Sequence, residues 1–137
     1  ADFTVNARED VPVRVRECFK GRLADLVILC ASNAEAIKQG LRSAERGATV
    51  LIFAAAGKDA VFPVSINDLF WRTELTVLSS YAASRCDLKQ ALDLIAKKKM
   101  VVSDMITHRF GLKDTRKGFE LVYKPNKSMK VIIHPQE

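Results

Sequence analysis

Residues 26–35, Leu26-Val27-Ile28-Leu29-Cys30-Ala31-Ser32-Asn33-Ala34-Glu35, join an apolar run to a helix start. The unbroken run Leu26 to Cys30, with no polar alternation, predicts a strand covered on both faces. Ser32 and Glu35 then fit a capping box, in which the Ser32 hydroxyl accepts an early backbone N–H and Glu35 reaches back. Ala34, Ile37, Leu41 and Ala44 follow as a buried stripe at helical spacing, while Lys38 and Arg42 face water. Gly47 supplies the break, and Thr49-Val50-Leu51-Ile52-Phe53 predicts a second buried strand. Strand, crossover helix and strand are the repeating unit of a parallel α/β sheet.

The same alternation extends in both directions. Upstream, Phe3-Thr4-Val5 reads as a short strand. Asp10 can cap a helix with Pro12 in its first turn and Val11, Val15, Cys18 and Phe19 on one face, and Gly21 ends it. Downstream, Pro63 and Ser65 introduce a short helix through Ile66, Leu69 and Phe70, and Leu75-Thr76-Val77-Leu78 reads as a strand. Ser84 or Asp87 starts a helix whose expected buried side is Leu88, Ala91, Leu92 and Ile95. Met105 to Phe110 reads as extended. Asp114 to Tyr123 reads as a helix with Thr115, Phe119 and Val122 inward, and Met129 to Ile133 as a final strand.

Composition narrows the function classes. Of 137 residues, 48% are hydrophobic, enough for a real core. No apolar run approaches the ~18 residues of a membrane span, and the first residues read as the start of a strand rather than a leader. Cys18, Cys30 and Cys86 are odd in number and far apart, with no CxxC. That argues against a disulfide framework or a structural zinc site and for a reducing cytoplasm. Net charge is +6. A solvated basic surface is the expected meaning rather than nucleic acid, because the densest cluster, Lys97-Lys98-Lys99, ends a helix and complements its dipole.

Open parallel sheets bind ligands beyond the C-terminal ends of their strands. The segments there are Cys30-Ala31-Ser32-Asn33, Phe53-Ala54-Ala55-Ala56-Gly57 and Leu78-Ser79-Ser80-Tyr81, all small or uncharged. They suit a cofactor held by main-chain groups better than an acid–base cluster, although small residues after strands also serve plain turn geometry. Cys30 stands where a nucleophile could sit, with His108 as a conceivable base, but nothing in the sequence joins them and a cysteine at a strand end reads as core. His108 and His134 lack paired ligand spacing. Neither GxGxxG nor GxxxxGK[ST] occurs, so the chain has no phosphate-cradling loop of its own. Phe70, Trp71 and Tyr81 form no base-stacking ladder among basic residues.

The order of segments resembles the zinc-dependent medium-chain alcohol and polyol dehydrogenases. Gly21 to Ile28 resembles their "GRGADVVI", and Arg46 to Val50 their "PGGTVV". Phe70 to Val77 resembles "YFKELTI", Met105 to Phe110 "LITHRF", and Ser128 to Ile133 the closing "KVVI". The resemblance implies a partial doubly wound, Rossmann-like parallel sheet lacking its first two strands, plus a C-terminal α+β tail. Residues 1–83 would belong to the nicotinamide-binding domain, and 84–137 to a tail that packs back on the catalytic domain. In the family, an N-terminal catalytic domain carries the zinc ligands and proton relay. The first strand, the GxGxxG turn and the second strand come after it.

By that analogy no catalytic residue and no zinc ligand is expected here. NAD or NADP would be held weakly or not at all by this portion alone. The positions carried over to the nicotinamide half of the pocket are Ala31, Ser32, Ile52, Phe53, Ala54, Leu78 and Ser79. Phe53 stands where the family often has glycine. Lys130 falls where some members place an arginine near the pyrophosphate, and a lysine gives the charge without the bidentate fork. A homodimer through Leu75 to Ser80 is implied, as are a small alcohol or polyol substrate and the missing catalytic domain as partners. Without strands one and two, Phe3 to Val5 would pair beside Val27, be completed by a second chain, or be disordered. Two other readings stand beside this one: a non-catalytic α/β binding module, and polyanion or RNA binding through the basic surface.

Overall fold

Val50 is fully buried at the centre of a three-stranded parallel sheet. The computed structural model describes residues 1–124 and 128–137. In chain order its main elements are α1 (Val11–Cys18), β1 (Ala24–Leu29), α2 (Ala34–Arg42), β2 (Ala44–Ile52), β3 (Thr76–Ser79), α3 (Arg85–Ala96), β4 (Ile106–Gly111), α4 (Thr115–Tyr123) and β5 (Lys130–His134). A π-helical turn, Asn67–Trp71, precedes β3. The chain divides into two compact units, Ala1–Ala82 and Ala83–Glu137.

In the first unit the sheet order is β1-β2-β3, all parallel. Val27, Val50 and Val77 stand side by side across it. Leu29, Leu41, Ala44, Ala48, Val50 and Leu75 form the core, with Ile37, Phe62 and Leu69 packed against it. Helix α1 starts where expected: Asp10 accepts a hydrogen bond from the Val13 N–H, and Pro12 occupies the first turn. Gln39 ties α1 to α2, accepting from the Val11 N–H at 3.0 Å.

Several local expectations are corrected. Phe3-Thr4-Val5 is not a strand and does not pair beside Val27; Phe3 instead meets the Phe19 ring edge to face at 5.9 Å. A strand needs a ladder partner, and an aromatic contact holds this segment instead. The cap of α2 is Asn33, whose side chain accepts from the Ala36 N–H at 2.8 Å, rather than Ser32. Asparagine caps as well as serine does, so the cap moves one residue, and with Ala36 at the third helical position no side chain reaches back to complete a box. β2 begins at Ala44, well before the expected Thr49, and passes through Gly47 at φ +73°. The pairing jumps from Ala24↔Ala44 to Leu26↔Thr49, and this bulge needs the left-handed turn that glycine makes freely. β1 is not covered on both faces: Leu26 and Ile28, two residues apart and so on one face, are more than half exposed, while Leu29 on the other face is buried.

In the second unit, β4 and β5 pair in parallel, and α4 is their crossover. α4 meets the strands through Gly118, where an added Cβ would stand 3.1 Å from Ile133 and 3.3 Å from Val131. The helix backbone itself therefore makes the contact. Phe119 and Val122, expected inward, flank it and are exposed. α3 is held by a complete capping box between Ser84 and Asp87. Its expected buried side is open as well: Leu88 and Leu92 are more than half exposed and Ile95 is exposed too.

Candidate functional site

The three parallel strands of the first unit end in line. Leu29, the last residue of β1, pairs with Ile52, the last of β2, which pairs with Ser79, the last of β3. The turn after β2 is fixed by a forked hydrogen bond: the Phe53 and Ala54 N–H groups both donate to the Leu29 carbonyl at 3.0 Å. Ser80 N–H donates to the Ile52 carbonyl at 3.4 Å. The N–H groups of Phe53 and Ala54 are thereby spent, so these residues can offer a ligand their carbonyl oxygens.

Around this edge the side chains are small or apolar. Ala31 and Ser32 are exposed between β1 and the Asn33 cap. Ile52 and Ala54 are half-buried, while Phe53, Leu78 and Ser79 are exposed. The structure thus brings Ala31, Ser32, Ile52, Phe53, Ala54, Leu78 and Ser79 to one edge of one sheet. Lys130 belongs to the second unit, where it opens β5 with its side chain exposed.

The other candidates separate from this edge. Cys30 is exposed rather than core. With Val11, Val15, Leu26 and Ile28 it lines a groove of about 650 Å³ along the open side of β1. His108 lies in the second unit, its Nδ1 3.0 Å from the Thr107 hydroxyl and its ring stacked on Phe110. His134 Nε2 lies 3.2 Å from Arg109; a guanidinium can only donate, so this nitrogen accepts.

The displaced titrations also lie elsewhere and serve the fold. The Leu23 and Arg46 N–H groups hold the Glu45 carboxyl below its ordinary value, helped by the charges of Arg22 and Arg16. The Ser84 hydroxyl and N–H do the same for Asp87. Asp114, 2.7 Å away, pushes the Lys117 ammonium up. The strand-end edge therefore presents main-chain and small groups and no displaced acid or base. Sequence reasoning missed a second hollow, at the opposite end of the strands, beside Arg16, Lys38 and Arg42. Its one signal was the four-residue spacing of Lys38 and Arg42 on either side of Leu41, which reads equally as a solvated helix face.

Comparison with known proteins decides the family. Residues 1–97 match the sequence pattern of the family described as zinc-binding dehydrogenase, a stretch that spans the whole first unit and α3. The chain belongs to the zinc-binding dehydrogenase family. A sorbitol dehydrogenase of Halalkalibacterium halodurans is 28% identical over 138 residues, covering 98% of this chain and 38% of that protein. Among solved structures, a protein from Clostridium scindens described as a zinc-binding dehydrogenase matches with a TM-score of 0.86 at 26% identity. That match covers 100% of this chain and 38% of the other. One from Sinorhizobium meliloti, described in the same way and solved bound to NADP, matches with a TM-score of 0.72 at 30% identity, covering 82% of this chain and 32% of its own.

The chain spans about a third of the length of the curated relatives it matches. It carries the family's Rossmann-type sheet in part, strands β1 to β3. Its donor set does not fit the metal: among the described residues, no three His, Cys, Asp or Glu side chains are grouped to hold one. The strand-end edge does fit a coenzyme, since it offers main-chain oxygens and small side chains at the place where parallel sheets receive nucleotides. Among the described residues, no helix is long and apolar enough to cross a membrane.

Proposed function

We propose that this chain forms the nicotinamide side of the coenzyme site of an NAD(P)-linked alcohol or polyol dehydrogenase. The observation that carries this reading is the common end line Leu29, Ile52 and Ser79, with Ala31, Ser32, Phe53, Ala54 and Leu78 around it. When bound, the coenzyme supplies the hydride donor or acceptor at C4 of its nicotinamide. The chain's own part is to orient that ring. The carbonyls of Phe53 and Ala54 can accept from a carboxamide NH₂, because their N–H groups are held by Leu29. The exposed Phe53 and Leu78 side chains give the ring an apolar wall and exclude water from one face.

Further parts of this reading concern partners and setting. Zinc ligands and a proton relay would come from a catalytic domain outside these 137 residues. The open apolar side of α3, with Leu88 and Leu92, is the kind of surface that packing of residues 84–137 on such a domain would cover. The groove beside β1 lies where the doubly wound order places a further strand. A second copy would pair through the exposed edge of β3. The substrate would be a secondary alcohol or polyol, in keeping with the sorbitol dehydrogenase relative. The three free cysteines suit a reducing, cytoplasmic setting.

The test combines turnover with binding. Purified chain, supplied with zinc, sorbitol and NAD or NADP, is expected to show no coenzyme reduction. It should bind reduced coenzyme only weakly, with a Kd of roughly a millimolar. Ala54→Glu, which places a carboxylate in the crevice, should abolish that binding. Zinc-dependent turnover, or binding untouched by Ala54→Glu, would overturn the proposal.

A further inference from the structure

Leu23, Ala44 and Leu75 lie at or beside the N-terminal ends of β1, β2 and β3, opposite the coenzyme edge, and all line the second hollow. Its volume is about 410 Å³, within the roughly 300–1,000 Å³ of small-molecule sites. Its floor is core: Leu41, Ala44 and Leu75 are each less than a tenth exposed, so only a thin chain reaches them. Phe62 and Leu69 wall it. Arg16, Lys38 and Arg42 stand around it, and no carboxylate lines it.

These cations are under-compensated. Lys38 forms no ion pair among the described residues. Arg42 has Asp10 at 3.8 Å, beyond hydrogen-bond length. Arg16 shares Glu45 with Arg22, and the Glu45 carboxylate is already bonded to the Leu23 and Arg46 N–H groups. A small hydrophilic anion would leave the apolar floor unused, and a neutral hydrocarbon would leave the cations unused. We propose that this hollow binds a fatty-acid-like alkyl carboxylate, tail on the Leu41–Leu75 floor and head at Lys38 and Arg42. Being at the far end of the strands, the site does not compete with coenzyme.

Calorimetry of the full chain with hexanoate, octanoate and decanoate, each below its micelle concentration, tests this. One site is expected, with affinity rising about fourfold per added methylene until the hollow is full. Decanol, with the tail and no charge, should bind at least about tenfold more weakly. Lys38→Gln and Arg42→Gln lie on the exposed side of α2 and should weaken decanoate several-fold with the circular dichroism unchanged. Amide signals of Leu41, Phe62 and Leu69 should shift. Equal binding of decanol and decanoate, no dependence on chain length, or signals moving at Leu26 and Ile28 instead would each overturn the proposal. Binding to anionic vesicles without binding to decanoate would overturn it too, since that marks a lipid surface. If a variant unfolds, the decanoate–decanol comparison on the unaltered chain still decides.

Discussion

Gly40 is the residue that lets α2 lie close on β1. A Cβ there would stand 2.2 Å from a Leu29 methyl and 3.3 Å from its Cγ, and Leu29 is buried. Gly40→Val is therefore expected to cost about 1–3 kcal/mol by overpacking, read as a lower urea midpoint at unchanged slope. Gly57, with nothing within 4 Å of its Cβ position, is the control, and Gly57→Ala should move the midpoint little. Equal effects at both positions would contradict the packing described. At this scale the sequence was partly legible. Asp10 and Ser84 announced their helices, because a capping side chain acts locally. The exposure of Cys30, Phe119 and Val122 was not legible. An apolar residue carries no mark of whether its own chain covers it, and Gly118 gave no sign that a helix backbone would meet the strands directly.

Among the elements, β1, β2 and β3 were readable because short apolar runs between helix starts have few alternatives. Their alignment at Leu29, Ile52 and Ser79 was readable only through the general rule for parallel sheets, and it made the candidate edge visible. The early start of β2 was hidden: Ala44-Glu45-Arg46 continues the helical pattern, and only pairing with Ala24 and the Gly47 bulge turn it into strand. Phe3 to Val5 failed for the complementary reason, since its propensity has no neighbour to act on. The proposed dimer belongs at this scale. Val77→Pro disrupts the β3 ladder, and Thr76→Lys puts a charge on an exposed edge residue; both should shift sedimentation toward monomer. A dimer unchanged in both variants would rule out pairing through β3.

For the whole molecule, two units with incompletely covered apolar surfaces fit a chain that spans about a third of its curated relatives' length. The family was legible from five short motifs in order, none sufficient alone, and the match over residues 1–97 takes in the first three of them. The metal was not legible in these residues, and the described structure groups no ligands for it. The central claim is that the C-terminal ends of β1 to β3 receive the nicotinamide. Amide-shift mapping of isotope-labelled chain titrated with reduced coenzyme tests it most directly. Signals of Ala31, Ser32, Phe53, Ala54, Leu78 and Ser79 should move with roughly millimolar affinity, while those of Ala24, Ala44 and Thr76 stay in place. Movement confined to that opposite end, or no movement at saturating coenzyme, would contradict the account.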